Sequence, residues 1–249
     1  MAKDELKVVD NTATAVAVAA PLVETNQEDM LIPFLKVIQA QSDEVTRGKD
    51  KYNETVKAGD IYDGVTRQVY TGADIVICGI KKYFAEWTPE ARGTLIAKHK
   101  PTADVVVNAI KTEHIGDNGS KFYRLSTPDG HDLVETFGVL ALIKANGISL
   151  PALFTLSKTS FMAGKTLQTM LMIYQQQGVP VFKFDTTLAS NSKGSWYKPV
   201  FTFKELETDA TVLNVAQAMS QKAEDILFKS YVGESEEVAK SADDNELGI

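Results

Sequence analysis

The chain has 249 residues, 44% apolar and 24% charged, which is enough for a substantial core in one large domain or two small ones and excludes disorder of the whole. Its formal charge of -7 is concentrated at the ends: residues 1–30 hold six acids and two lysines, residues 233–249 hold six acids and one lysine, and the body from 31 to 232 carries +2. The acidity of the whole therefore says little about what the body binds. The only cysteine, Cys78, cannot form an internal disulfide, and no apolar run approaches the roughly 18 residues of a membrane helix, so the expectation is a cytoplasmic protein without a membrane partner.

In chain order, residues 1–30 are Ala, Val, Thr and acids without a helical stripe and predict a flexible N-terminal arm. The run Thr14–Ala20 is not expected to be a signal peptide, because Asp4, Glu5 and Asp10 stand where positive charge is needed. The folded body, 31–232, opens at Met30-Leu31-Ile32-Pro33-Phe34-Leu35. Strands are predicted at the β-branched runs Ile75–Ile80 and Ala103–Val107, at Phe122–Leu125 and Leu133–Ile143 on either side of the turn Thr127-Pro128-Asp129-Gly130, and at Leu153–Leu156. Asp117-Asn118-Gly119 reads as one more turn. Spacing then becomes helical: Ala163, Leu167, Met170, Leu171 and Tyr174 follow the capping candidates Ser157, Thr159 and Ser160, and Gly178 with Pro180 ends the run. Phe182–Asp185 and Phe201–Lys204 alternate as half-buried strands do, and a second helical stripe runs from Val212 to Leu227 after Thr208 or Asp209. Residues 233–249 are acidic, lack aromatics and predict a mobile tail. The expected architecture is mainly β, an OB-like β-barrel with two added α-helices and a disordered acidic C-terminal tail.

No residue set predicts catalysis. Gly164-Lys165-Thr166 opens a helix after a strand, as a phosphate loop does, but Thr159 stands where that loop requires its first glycine. Gly164 is then a close-packing position and Lys165 a solvated or anion-contacting one. Asp129, His131, Asp132 and Glu135 do not share a strand face and predict a polar turn rather than a metal site. The expectation is a non-enzymatic protein without metal or cofactor.

What recurs is a ring beside a cation: Lys81-Lys82-Tyr83-Phe84 with Trp87, Phe122-Tyr123-Arg124, Phe182-Lys183-Phe184, and Lys193 before Trp196-Tyr197-Lys198. Single-stranded nucleic acid uses that chemistry, since unpaired bases stack on flat rings while cations track phosphates. Phe122, Phe182, Phe184, Phe201 and Phe203 lack a polar handle and are expected in the core, whereas Trp87, Trp196 and Tyr197 sit among polar residues. With its basic β-rich body and acidic tail, and in the stretches Ile32–Gln39, Lys57–Ile61 and Tyr83–Gly93, the chain resembles phage-encoded single-stranded-DNA-binding proteins. The resemblance implies an OB-fold body that coats exposed strands during phage DNA replication and recombination in the host cytoplasm. It also implies a tail that recruits replication or recombination proteins, and it leaves room for a homo-oligomer. Tyr83, Trp87, Trp196 and Tyr197 are the expected stacking platforms in one groove, with Lys81, Lys82, Arg92, Lys158, Lys165, Lys193 and Lys198 on phosphates. Glu234, Glu236, Glu237, Asp243, Asp244, Glu246, Leu247 and Ile249 form the expected partner-binding tail. Two rival readings are a phage virion or scaffold component without a nucleic-acid groove, and a phosphate-loop enzyme.

A tethered polyanion competes with a free one within a Debye length of about 8 Å at physiological ionic strength. Deleting residues 234–249 is expected to raise the affinity for single-stranded oligonucleotides, most at low salt. A titration in which affinity is unchanged across salt would assign the tail to solubility alone.

Overall fold

Two long strands organise the chain. In the computed structural model, which describes residues 32–89, 93–115, 121–145, 148–191 and 194–229, β4 (Ala73–Trp87) and β8 (Asp132–Ala145) run antiparallel from Asp74 opposite Lys144 to Trp87 opposite Asp132. Before them come β1 (Leu35–Val37), β2 (Ile61–Asp63) and β3 (Val69–Tyr70), which form a separate three-stranded sheet. Between them lie β5 (Leu95–His99), the single helical turn α1 (Asp104–Val107), β6 (Ile110–Ile115) and β7 (Lys121–Ser126). After them follow β9 (Ile148–Ser157), α2 (Phe161–Tyr174), β10 (Pro180–Asn191), β11 (Gly194–Leu206) and α3 (Ala210–Lys229).

The main sheet has the order β11-β10-β4-β8-β7-β6, with β5 added to β4 and β9 added to β8. Each long strand is too long for one neighbour on its outer edge. β4 therefore pairs β10 along 73–76 and β5 along 84–87, while β8 pairs β9 along 136–145 and β7 at Leu133 and Asp132.

The run Val139-Leu140-Ala141-Leu142-Ile143 is wholly buried, which requires cover on both faces of the sheet. Strand alternation divides it. Phe137, Val139, Ala141 and Ile143 join Ile75, Ile77, Phe154, Phe182, Phe184 and Phe201 in one core, roofed by Leu167 of α2 and by Leu35, Ile61 and Tyr70 of the small sheet. Leu140 and Leu142 join Val76, Cys78 and Val181 in a second core beneath Val212, Ala216, Ala223 and Leu227 of α3.

The expected OB-like barrel is thus corrected to an open sheet clad on both sides. Among the described residues the strand pairings do not close into a cylinder, and β8 has no solvent face of the kind a small barrel's outer wall carries. The expectation of a mainly β body with two amphipathic helices is met by α2 and α3. Ala103–Val107, expected as a strand, is instead the turn α1; β-branched residues pair only where a neighbouring strand offers itself, and Val107 is 69% exposed. The turn after β7 forms as read, with the Gly130 N–H on the Thr127 carbonyl at 3.0 Å and the Thr127 N–H on the His131 carbonyl at 2.9 Å. The N-terminal arm 1–30, the turn at Asp117-Asn118-Gly119 and the tail 233–249 lie outside the described residues.

Helix α3 is fixed at both ends. At its start the Asp209 carboxylate accepts the Thr211 N–H at 2.8 Å, the cap the sequence offered, and the buried Glu207 accepts from Lys144 Nζ at 2.7 Å and from the Thr208 and Asp209 N–H groups at 3.0 Å each. Near its end Lys98 Nζ donates to the Leu227 carbonyl at 3.1 Å, where a cation suits the helix dipole. In between, β4 carries a bulge: Ile77 pairs Ala141 and Gly79 pairs Leu140, so Cys78 has no partner of its own. Cys78 is buried in the α3-side core, where desolvation pushes its thiol up to about 12. Gly79 lets the helix approach, because a Cβ there would lie 2.4 Å from the Cβ of Ala223.

Gly79→Ala is expected to lower stability by about 1–3 kcal/mol, as overpacking does, shifting the urea midpoint without changing the slope. Ala223→Gly in the same chain should recover part of that loss, and a strictly additive pair would show that the two positions do not touch.

Candidate nucleic-acid interface

The strand register sets the distances between the expected stacking rings. Trp87 stands at the far end of β4, half-buried, with its backbone between Asp132 and Leu95. Trp196 and Tyr197 lie on β11 opposite Ala189 and Leu188, beyond the point where Phe184 of β10 meets Ala73 at the near end of β4. Fourteen residues of β4 and five of β10 separate the two tryptophans along the strands, which at about 3.3 Å per residue is on the order of 60 Å. The strand register thus puts Trp87 and the Trp196–Tyr197 pair at opposite ends of the β4 run.

Tyr83 is also corrected. It is 2% exposed, its ring lies 5.9 Å from that of Phe228 and Lys98 Nζ stands 5.4 Å from its centroid, so it belongs to the α3 side of the core. Bulky packing on both sides leaves no face for a base. Tyr197 has a structural task as well. Its ring occupies the space left by Gly59, where a Cβ would lie 2.7 Å away, and the Gln39 side chain accepts its N–H and donates to its carbonyl, both at 2.9 Å. Gly59 has φ +96, a conformation other residues adopt only under strain. Thr186 Oγ1 on the Gly59 carbonyl at 2.5 Å completes this seam between the small sheet's loop and the β10–β11 hairpin.

Several expected cations are held by neighbours of the fold. Lys81 faces Glu224 of α3 at 3.6 Å, Lys82 pairs with Glu135 across the sheet, and Lys165 Nζ lies 4.9 Å from the Phe161 centroid. Exposed pairs of this kind exchange readily with solvent or with another anion. Lys158 is half-buried with φ +48 at the turn before α2. Gly164 packs inside α2, where a Cβ would come 2.5 Å from Phe137, so Gly164-Lys165-Thr166 is a helical turn rather than a loop able to wrap a phosphate. Arg92, Lys193 and the expected partner-binding residues from Glu234 to Ile249 lie outside the described residues.

One expected ring and one expected cation do come together. Along β10 and β11 the side chains of Phe182, Phe184 and Phe201 enter the core, which turns Lys183, Thr187, Trp196, Lys198 and Thr202 to the opposite face by strand alternation. Lys183, Thr187, Lys198 and Thr202 are exposed there. Lys183 lies 3.5 Å from Asp185, whereas Lys198 has no acid within ion-pair distance among the described residues. The Trp196 Nε1–H is buried and has no acceptor among them. Buried indole N–H groups normally find one.

A second ring–cation set lies on the β6–β7 hairpin. Tyr123 on β7 is 51% exposed, Lys111 Nζ stands 3.8 Å from its centroid, and its hydroxyl donates to Glu113 at 3.1 Å. Phe122, expected in the core, is instead half-buried and stacks on His114 at 5.4 Å, because the β6–β7 hairpin joins β8 only through Leu125 and Ser126. Alternation guaranteed that adjacent rings would face opposite ways; nothing in the sequence showed that the hairpin would leave the core.

A part-buried polar cluster joins three strand ends. Glu86 on β4 takes His99 Nε2 of β5 at 2.5 Å and His131 Nδ1, just before β8, at 2.7 Å. Among the described residues no group of three or more His, Cys, Asp or Glu side chains has the arrangement to hold a metal ion. Burial of Glu86 pushes its carboxyl up, but the hydrogen bonds from His131 and His99 and their charge outweigh that, and the net position is below the ordinary 4.5.

The described body is a helix-clad open β-sheet with two projecting hairpins and no nucleotide-binding loop. The chain belongs to the Pam3 phage gp34-like protein family, whose model matches residues 19–226, and is therefore a phage protein. No curated protein and no solved structure matches it. No helix among the described residues is long and apolar enough to cross a membrane.

A carboxylate depressed in the folded state stabilises it above the carboxylate's ordinary value, and that contribution is lost as pH falls through the lowered one. Glu86→Gln is accordingly expected to destabilise the chain near neutral pH, and the gap from wild type in urea midpoints should narrow below about pH 4.5. A gap independent of pH would mean that the carboxylate charge is not what the histidines read.

Proposed function

We propose that this phage protein binds single-stranded nucleic acid, without catalysis, on the outward face of the β10–β11 hairpin. The observation that supports the reading is the half-buried Trp196 and the exposed Lys198, which has no acid within ion-pair distance among the described residues, two residues apart on the same strand face. A base can stack on Trp196 and a phosphate oxygen can sit at Lys198, with Lys183 and the Thr187 and Thr202 hydroxyls along the same face. Stacking on a ring and contact with phosphates read no base edge, so the binding is sequence-tolerant. Coating of exposed strands in the host cytoplasm during phage replication or recombination, with the acidic tail recruiting partners, is the role that fits. The rival role, a virion or interaction component, draws on the exposed Ile110 and Ile115 of the β6–β7 hairpin.

Fluorescence titration separates the two. With Trp87→Phe leaving Trp196 as reporter, single-stranded oligonucleotide is expected to quench emission, and duplex of equal length to do so less. Trp196→Ala should weaken binding by about 1–3 kcal/mol with the fold retained. Two or three phosphate contacts imply a log–log salt slope of about -1.4 to -2, reduced by about 0.7 in Lys198→Ala. Absence of quenching at low salt, or equal affinity for duplex, would sink the proposal.

A further inference from the structure

Strand β6 closes the order of the main sheet, and among the described residues its outer edge pairs with nothing. Five of its six residues are exposed, and such an edge is a template for another strand. Its sequence is Ile110-Lys111-Thr112-Glu113-His114-Ile115, in which a lysine and a glutamate stand one residue on either side of Thr112. Laid antiparallel against its own copy about a two-fold axis, a strand can adopt only registers centred on a residue or shifted by whole residues from it. Centred on Thr112, Lys111 of each copy lies opposite Glu113 of the other, threonine faces threonine, and Ile110 faces His114. Shifting the centre to Lys111 opposes two lysines, and shifting it to Glu113 opposes two glutamates. Opposite charges directly across an antiparallel pair stabilise it and like charges destabilise it, so of the three registers centred within Lys111–Glu113 the charge pattern selects the one centred on Thr112.

We propose that the β6 edge is a self-recognition surface that joins two copies of this chain into a two-fold dimer, centred on Thr112, with the two β6–β7 hairpins forming one continuous four-stranded sheet. Glu113 already receives Lys121 at 2.8 Å and the Tyr123 hydroxyl, so it is positioned on the hairpin face rather than free to swing. Lys111 is likewise placed over the Tyr123 ring. A six-residue edge buries far less than the roughly 800 Å² per partner of a standard interface, so the dimer is a weak one that forms at high local concentration. Copies gathered on one nucleic-acid strand, or in an assembling particle, would meet that condition. The inference does not depend on which of these the protein serves.

Sedimentation of the full-length chain over a range from about 1 to several hundred µM tests it, without nucleic acid present. A monomer–dimer equilibrium is expected in the upper part of that range. Because the two-fold axis doubles every substitution, Lys111→Glu or Glu113→Lys alone turns both charge pairs repulsive and should weaken the dimer by about tenfold or more. The double variant Lys111→Glu with Glu113→Lys rebuilds both pairs with their signs reversed and should restore it, which loss of hairpin folding could not do. Thr112→Cys should cross-link two copies on mild oxidation, since Cys78 is buried and does not compete. A chain that stays monomeric throughout, or a dimer indifferent to the single charge reversals, overturns the proposal.

Discussion

Burial of both faces of the β4–β8 pair is the constraint on which the rest of the structure depends. A strand that is apolar on alternate residues needs one cover; Val139 to Ile143 is apolar on all of them and needs two. Helix α3 supplies one cover, and α2 with the small sheet supplies the other. The bulge at Cys78, the absent side chain at Gly79 and the polar anchors Glu207 and Lys98 all fix how closely α3 can lie on its face. Because the long strands outrun any single neighbour, their outer edges are shared between short partners, and the surplus length of β10–β11 and the weakly attached β6–β7 leave the core as arms.

That division of labour explains where charged chemistry sits. Cations in and just after β4, β5 and β8 are used by the fold: Lys144 on Glu207, Lys98 on the end of α3, Lys81 and Lys100 on Glu224. On the arms a lysine and a ring share one face of a strand ribbon, Lys198 with Trp196 and Lys111 with Tyr123. A body charge of about +2 is thus a poor guide to binding, since many of its positive groups are already answered locally.

Local structure was readable wherever one chemical signal dominated. The alternating phenylalanines of β10 and β11, the apolar run of β8 and both amphipathic helices, including the Asp209 cap, stand where their periodicity puts them. Three things were not readable for a common reason, which is that each depends on a partner distant in sequence. Ala103–Val107 lacks a neighbouring strand and coils into α1; the double cover of β8 replaces a barrel; and Tyr83 is taken into the core by Phe228, 145 residues away. The site suffered most from this limit. A cation next to a ring in sequence predicts a shared surface only if the strand alternation is known, and Trp196 with Lys198 shares one whereas Tyr197 between them does not.

The Gln39 amide gives the hairpin something its own sequence could not. By accepting the Tyr197 N–H and donating to its carbonyl, one side chain plays the part of a whole strand residue at an edge that would otherwise be open. The arm is stiffened from behind, on the face opposite Trp196, at the point where two-stranded ribbons ordinarily bend and fray. A surface held flat before any partner arrives loses little freedom on engaging one, so more of the contact energy appears as affinity. The small N-terminal sheet, remote from any ring or lysine of the arm's outer face, thereby acts as its brace.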